Sequence, residues 1–544
     1  MPVTASSKTM IRGTSIVALL TLVSRVLGFV RDLLVAGLFG AGMYADAFFV
    51  AFRIPNLLRS LVAEGAMSAA FVPVFSGELV KGQEQARRAM QITTGFLLIV
   101  TCALSIAGIF LARPLVELLA PGFLANPEKL EICVLLTRIM LPYIIFVSLV
   151  ALIGGALNTI KIFGTAAFSQ VAMNIVLIAG ALLAAAYQPR PAVILLALSV
   201  MAGGVVQVVV QIPALKRAGF LSWPSFAIRS PVIKDLLWLM LPATIGSAIY
   251  QISIFMNTLL ASLLGEGSVS WLFYADRLAQ LPLGIFSVAL ASVLLPMLAG
   301  AAARDEQDNF SEGLINSLRY TSFIIIPMAF LIYQLAVPLI QLLFERGAFS
   351  HDSTIKTALA VQALSLGLWG SSCHAMLIRG FIARKDTITP TLIGLFALLV
   401  SVPLSMALMG PPLHPDAGFA AGAVASFQAL PLISSLGINL RHAGLGVSSS
   451  IASTLAFFLV ALLFWRRIHL NYSAFVRGSL ISLLGSLFMC LVFEITGISS
   501  LPMYQSLPLG LILGPLSYLA FCGVAKSREF QETFKLFSRL VRGR

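Results

Sequence analysis

Runs of about twenty apolar residues, separated by short polar breaks, recur from residue 14 to residue 525. Wound as α-helices, runs of that length match the hydrocarbon thickness of a bilayer. They are too long and too continuous for the alternating strands of a membrane barrel. In the first half they lie at 14–38, 45–76, 91–112, 134–158, 166–187 and 192–213. In the second half they lie at 236–264, 267–298, 314–344, 357–381 and 389–409, followed by 417–439, 447–465, 475–497 and 506–525. The expected fold is an all-α polytopic membrane protein, since helices satisfy every backbone hydrogen bond within their own segment. Pro55 predicts a kink in the second run, because it removes a backbone donor.

The polar breaks divide the chain. Residues 1–215 form a first lobe of six spans, 216–235 a cytoplasmic linker, and 236–440 a second lobe holding spans seven to twelve. Residues 441–525 add extra C-terminal apolar helices. The tail 526–544 spaces Phe530, Phe534, Phe537 and Val541 along one helical face with basic residues around the rest. That pattern predicts an amphipathic helix on the inner membrane surface. The basic N-terminus (Lys8, Arg12) and the basic tail both belong in the cytoplasm, which demands an even number of crossings. Fifteen apolar segments conflict with that demand. The conflict sits at 447–465, because Arg441 before it and Arg466–Arg467 after it both ask for the same side. The expectation is about fourteen crossings, with 417–439 or 447–465 re-entrant or interfacial.

Composition sharpens the class. Of 544 residues 59% are apolar and only 11% charged, against about 25% charged in soluble proteins. The net charge of +14 follows from basic cytoplasmic loops, and no basic run with interleaved aromatics predicts nucleic-acid binding. Cys102, Cys133, Cys373, Cys490 and Cys522 are scattered without a CxxC or Cys/His cluster, so neither a disulfide framework nor a metal site is expected. The five histidines fall in separate segments, and no phosphate-binding glycine loop occurs. These observations predict a transporter and not an enzyme, with no cofactor. The first apolar run lacks a small-residue cleavage site and reads as a retained span.

Charges inside the hydrocarbon are the informative anomaly, because each costs roughly 2.5–3.5 kcal/mol at the bilayer centre on insertion scales. SRVLGFVRD (24–32) and DAFFVAFRIPNLLRSLVAEG (46–65) hold Arg25, Arg31, Asp32, Asp46, Arg53, Arg59 and Glu64. Asp276 and Arg277 follow in the eighth run. On a helix Arg25, Gly28 and Asp32 share a face, with Arg31 about 120° round. Arg53 is placed to pair locally with Asp46 or Asn56. Arginines outnumber acids at these sites, which predicts a positive cavity, and a guanidinium suits phosphate through planar paired hydrogen bonds. An anionic substrate follows, where a cationic one would call for an excess of carboxylates. A faint internal repeat supports a transporter: Gly40–Pro73 and Gly265–Pro296 each carry an Ala-Asp pair, an arginine and two prolines.

SRVLGFVRD, GAGMYADAFFVAFRIPNLLRSLVAEGAMSAAFVPVF and GSVSWLFYADRLAQLPLGIFSVALASVLLPML closely resemble the MurJ (MviN) family of lipid II flippases. That family lies within the multidrug/oligosaccharidyl-lipid/polysaccharide exporter superfamily. The resemblance implies two six-helix lobes around a central cavity plus C-terminal helices whose groove takes the lipid tail. It implies a function, moving lipid II (undecaprenyl-pyrophosphate carrying the disaccharide-pentapeptide) from the inner to the outer leaflet of the bacterial cytoplasmic membrane. Export of another lipid-linked saccharide, or cation-coupled multidrug export, is the alternative within the superfamily. The family's cavity arginines correspond to Arg25, Arg31, Arg59 and Arg277, and its supporting positions to Ser24, Gly28, Asp46 and Glu64. Implied partners are lipid II, membrane lipids and cell-wall synthesis enzymes.

Overall fold

Long apolar runs cannot leave backbone groups unpaired in lipid, and the chain answers with helices throughout. The computed structural model describes residues 5–60, 67–227, 229–415, 418–435, 437–468, 470–498 and 501–541, and no strand occurs among them. Nine helical stretches among the described residues are long and apolar enough to cross a membrane. Several expected spans are pairs of shorter helices, broken where the sequence supplies a reason. The chain divides into two units: Met1–Ser270 with Arg346–Phe349 and Leu413–Gly422, and Trp271–Glu345 with Ser350–Pro412 and Ala423–Arg544.

The first unit holds α1 (Ala5–Phe39), α2 (Met43–Arg59), α3 (Ser68–Lys81), α4 (Gln83–Phe110), α5 (Ala112–Leu119), α6 (Pro127–Met140), α7 (Tyr143–Thr159), α8 (Gly164–Ala184), α9 (Pro189–Arg217) and α10 (Pro231–Ser262). Of the expected span 45–76 the described residues form α2 and α3, and Pro55 lies inside α2, one turn before its end. Pro142 separates α6 from α7. The α1–α2 turn closes at Gly40, whose φ of 60° favours glycine, and where a Cβ would stand 2.3 Å from the Ala348 carbonyl oxygen. Helix α1 packs on α8, α2 on α6, and α8 on α9. Met67, Phe71, Phe75, Leu152, Leu157 and Phe220 form a buried core beneath α3, α4 and α7.

The second unit continues with α11 (Ser268–Pro282), whose first turn belongs to the first unit, and a π turn at Leu283–Ser287. It goes on through α12 (Val288–Ala303), α13 (Gln307–Gln334), α14 (Ala336–Phe344), α15 (His351–Ser365), α16 (Leu368–Ala383) and α17 (Ile388–Leu408). Then come α18 (Phe419–Gln428), whose first four residues belong to the first unit, α19 (Pro431–Ser434), α20 (Arg441–Ile468), α21 (Ser473–Thr496), α22 (Met503–Val524) and α23 (Arg528–Val541). Its core gathers Leu298, Phe310, Leu314, Met376, Phe457 and Phe464. Helices α16 and α20 approach closely because Gly367 and Gly370 present no side chain. A Cβ at either would meet the Ser450 or Thr454 Cα at 2.5 and 2.7 Å.

The apolar segments at 417–439 and 447–465 fold differently. Among its described residues the first holds only ten-residue α18 and four-residue α19. Ten residues of helix rise about 15 Å, half a hydrocarbon core. The second lies within the 28-residue α20, which is long enough to cross. Gln428 at the end of α18 turns its amide back to the Met406 and Ala407 carbonyls near the end of α17. There it satisfies acceptors that a helix terminus leaves open.

Candidate functional site

On α1 the stripe that meets α8 is Ser24, Gly28 and Arg31, spaced i, i+4, i+7. Asn174 of α8 organises it. Its amide nitrogen donates to the Ser24 carbonyl at 3.0 Å and to Ser24 Oγ at 3.2 Å, while its oxygen accepts from Arg31 Nη1 at 3.3 Å. Gly28 leaves room for this amide, since a Cβ there would stand 3.6 Å from Asn174 Oδ1. Arg31 also donates from Nε and Nη2 to Asp32 Oδ1, at 2.9 and 2.7 Å. Asp32 is buried and the Arg31 side chain is 18% exposed, so the guanidinium is oriented by a carboxylate on a side chain that is not fully sealed from solvent. Arg25 belongs to another side of the helix. It is exposed and makes no hydrogen bond or ion pair among the described residues.

Asp46, in the first turn of α2, is fully buried. Four donors converge on it. Lys129 Nζ lies 2.7 Å from Oδ2, the Gly267 and Ser270 backbone N–H groups at 2.8 and 2.9 Å, and the Ser270 hydroxyl at 2.6 Å. Two of these are N–H groups that the start of α11 would otherwise leave open, so Asp46 caps a helix from outside it. The exchange is mutual, because Glu266 Oε1, just before α11, accepts the Met43 N–H at the start of α2. Lys129 is held by its own helix start, where Asn126 caps the Lys129 N–H, and its ammonium lies 4.3 Å from the Phe123 ring. Asp46 is thus a joint between α2, α6 and α11 that presents nothing to solvent.

Further along α2, Arg53 reaches α10, donating to the Ile254 carbonyl at 3.1 Å and to the Thr258 hydroxyl. It does not take up the local pairing with Asp46 or Asn56. Asp46 is occupied by Lys129, and Asn56 donates to the Phe52 carbonyl. Arg59 ends α2, half-buried, where a cation meets the negative end of the helix dipole. Next to it Ser60 Oγ accepts from Gln251 of α10 at 2.7 Å. Glu64 lies outside the described residues. Arg277 belongs to the second unit and stands 4.7 Å from the ring of Phe273, one helical turn before it. Asp276 beside it is exposed and accepts from Gln280.

Within the first unit the structure therefore brings Ser24, Gly28 and Arg31 together, sets Arg25 apart and turns Asp46 inward. Asn174, Lys129 and Glu266 were not among the sequence candidates. Asn174 was detectable as one of two amides, with Gln170, in an apolar run, whereas Lys129 reads as an ordinary loop lysine. Chemically, α1 offers one guanidinium held in place and a second, exposed one six residues away. Asp46, the next acid along the chain, is already neutralised by Lys129. Such an arrangement suits an anion able to accept several charge-assisted hydrogen bonds.

The family model described as "Lipid II flippase MurJ" matches residues 35–513. The lipid II flippase MurJ of Burkholderia cenocepacia is 39% identical over 386 residues, covering 70% of this chain and 75% of that protein. The probable lipid II flippase MurJ of Buchnera aphidicola subsp. Acyrthosiphon pisum is 35% identical over 463 residues, 85% of each chain. Among solved structures, a lipid II flippase MurJ in an inward closed conformation superposes with a TM-score of 0.77 at 24% identity, over 93% of this chain and 98% of that one.

Proposed function

The chain belongs to the MurJ family of lipid II flippases, and from that premise we propose that it moves the undecaprenyl-pyrophosphate-linked peptidoglycan precursor between leaflets by alternating access, with Arg25, Arg31, Arg59 and Arg277 binding the pyrophosphate. The observation that carries this reading is the exposed guanidinium of Arg25 on the helix where Asp32 and Asn174 orient Arg31. A pyrophosphate supplies oxygens that accept paired hydrogen bonds from such groups. Ser24 and Gly28 support the site by setting Asn174, and Asp46 supports it by fixing where α2 begins. The prenyl tail needs an apolar surface. A pocket of about 480 Å³ in the second unit, lined by Phe330, Tyr333, Leu366, Phe458, Val476 and Leu483, is chemically suited to hydrocarbon.

The orientation we propose puts both termini in the cytoplasm of a bacterial inner membrane. With α18 and α19 not crossing, about fourteen crossings remain. Lys81, Arg87 and Arg88, then Lys216 and Arg217, Arg304, Arg384 and Lys385, Arg466 and Arg467, and the basic tail then all fall on one side. Enzymes that consume the precursor on the other side are the expected partners.

The test is complementation of a strain depleted of its own lipid II flippase. Wild type is compared with Arg25→Ala, Arg31→Ala, Arg59→Ala and Arg277→Ala, with membrane levels measured for each. Growth with wild type and loss of growth with well-inserted arginine variants is expected. Rescue by all four variants would remove the arginines from the mechanism, and failure of well-inserted wild type would point to another lipid-linked substrate.

A further inference from the structure

The C-terminal helix α23 has two differently committed faces. Its acids face the protein. Glu529 is buried and pairs with buried Arg319 of α13 at 2.7 Å, and it also accepts from the Ser527 hydroxyl at 2.8 Å. This approach depends on Gly478 of α21, where a Cβ would lie 2.7 Å from Glu529 Oε1. Glu532 accepts from the Tyr320 hydroxyl and, at 2.7 Å, from Arg528 Nε. Phe530 packs with Phe323, Tyr518 and Cys522.

Its other face is basic and partly apolar. Lys526, Arg528 and Lys535 are exposed. Phe534, stacked on Phe530 with ring centroids 5.9 Å apart, is 60% exposed. Between residues 526 and 544 the sequence has six basic residues and only the two acids already used inward. The apolar side of the helix is therefore docked on the protein at Phe530 and open at Phe534, with exposed basic residues alongside. Acyl boundary and anionic headgroups complement that combination together, whereas an acidic protein groove would leave the aromatic without a matching surface.

We propose that α23 is an anionic-lipid-binding helix: Phe534 enters the headgroup–acyl boundary, Lys526, Arg528 and Lys535 meet lipid phosphates, and the Arg319–Glu529 pair fixes the depth at which it lies. The proposal is independent of what the chain transports.

The test uses the full chain carrying Phe534→Trp in lipid nanodiscs. Subtracting the emission of the parent chain isolates the added indole. In discs of phosphatidylcholine with phosphatidylglycerol, the difference spectrum should be blue-shifted and quenched by brominated acyl chains. In pure phosphatidylcholine, or with Lys526→Glu and Lys535→Glu added, quenching should fall, each lost positive charge weakening membrane contact about fivefold. A water-like indole in the anionic discs would overturn the proposal, as would equal quenching in both lipid compositions. A blue shift that needs added cytosolic protein would assign the surface to a protein partner instead.

Discussion

Lys129 and Asp46, 83 positions apart, form a buried ion pair whose carboxylate also holds the first turn of a third helix. Burying two charges is costly unless every remaining lone pair is used, and here three further donors use them. Asp46→Ala should therefore be severe, leaving an ammonium and two backbone N–H groups in the interior, a loss of about 3–5 kcal/mol. Lys129→Met should cost less, because the carboxylate keeps its bonds to Gly267 and Ser270, and the double variant should recover part of the Asp46→Ala loss. Thermal unfolding of the purified chain in detergent checks this. Equal losses for both single variants would mean that the capping bonds contribute nothing.

Arg25 and Arg31 should separate binding from folding. Arg25 makes no contact that the fold needs, so Arg25→Ala should leave thermal stability within about 0.5 kcal/mol while abolishing complementation. Arg31→Ala deprives buried Asp32 of its 2.7 Å partner and should lose stability as well as function, by about 1–3 kcal/mol. Unfolding curves of the two variants, set beside their growth phenotypes, decide the matter. Equal destabilisation would place Arg25 in the structural framework.

The arginines were legible because a charge inside a hydrocarbon run is anomalous wherever it stands. Their partners were not. Asn174 is 143 positions from Arg31 and Lys129 is 83 from Asp46, and no local spacing encodes contacts that distant. The helical class was equally legible, but continuity was not, because hydropathy averages over a break. Segment 417–439 has no charge, so its mean hydropathy matches that of a span. Pro431 and Gly437 were the visible signs that a single helix would not run through it. A crossing α20 sets Arg441 and Arg466–Arg467 on opposite faces of the membrane, so Arg441 is the cluster that does not keep the side its charge asks for.

That geometry predicts an accessibility pattern. Ser435 and Arg467 are both exposed, one before and one at the end of α20. With Cys102 and Cys490, the two cysteines that are not buried, replaced by Ser, a cysteine at Ser435 should react with a membrane-impermeant thiol reagent in intact spheroplasts. A cysteine at Arg467 should react only after the membrane is opened. Reaction of both from one side would mean that α20 does not cross, and the count of crossings would have to be redrawn.

The attachment of α23 should depend on pH in one direction only. Donation from the Tyr320 hydroxyl, and then from Arg528, holds the Glu532 carboxyl below its ordinary value of 4.5. A carboxyl depressed by folding contributes stability that is fully present above its ordinary value and is lost as pH falls through the depressed one. Docking should therefore be constant from neutral pH down to about 5 and loosen only below that. A nitroxide at exposed Gln531, on the same cysteine-replaced chain, reports it as a rise in label mobility on acidification. Glu532→Gln should show greater mobility already at neutral pH, with less further change in acid. Loosening of wild type between pH 8 and pH 6 would assign the attachment to some other titrating group.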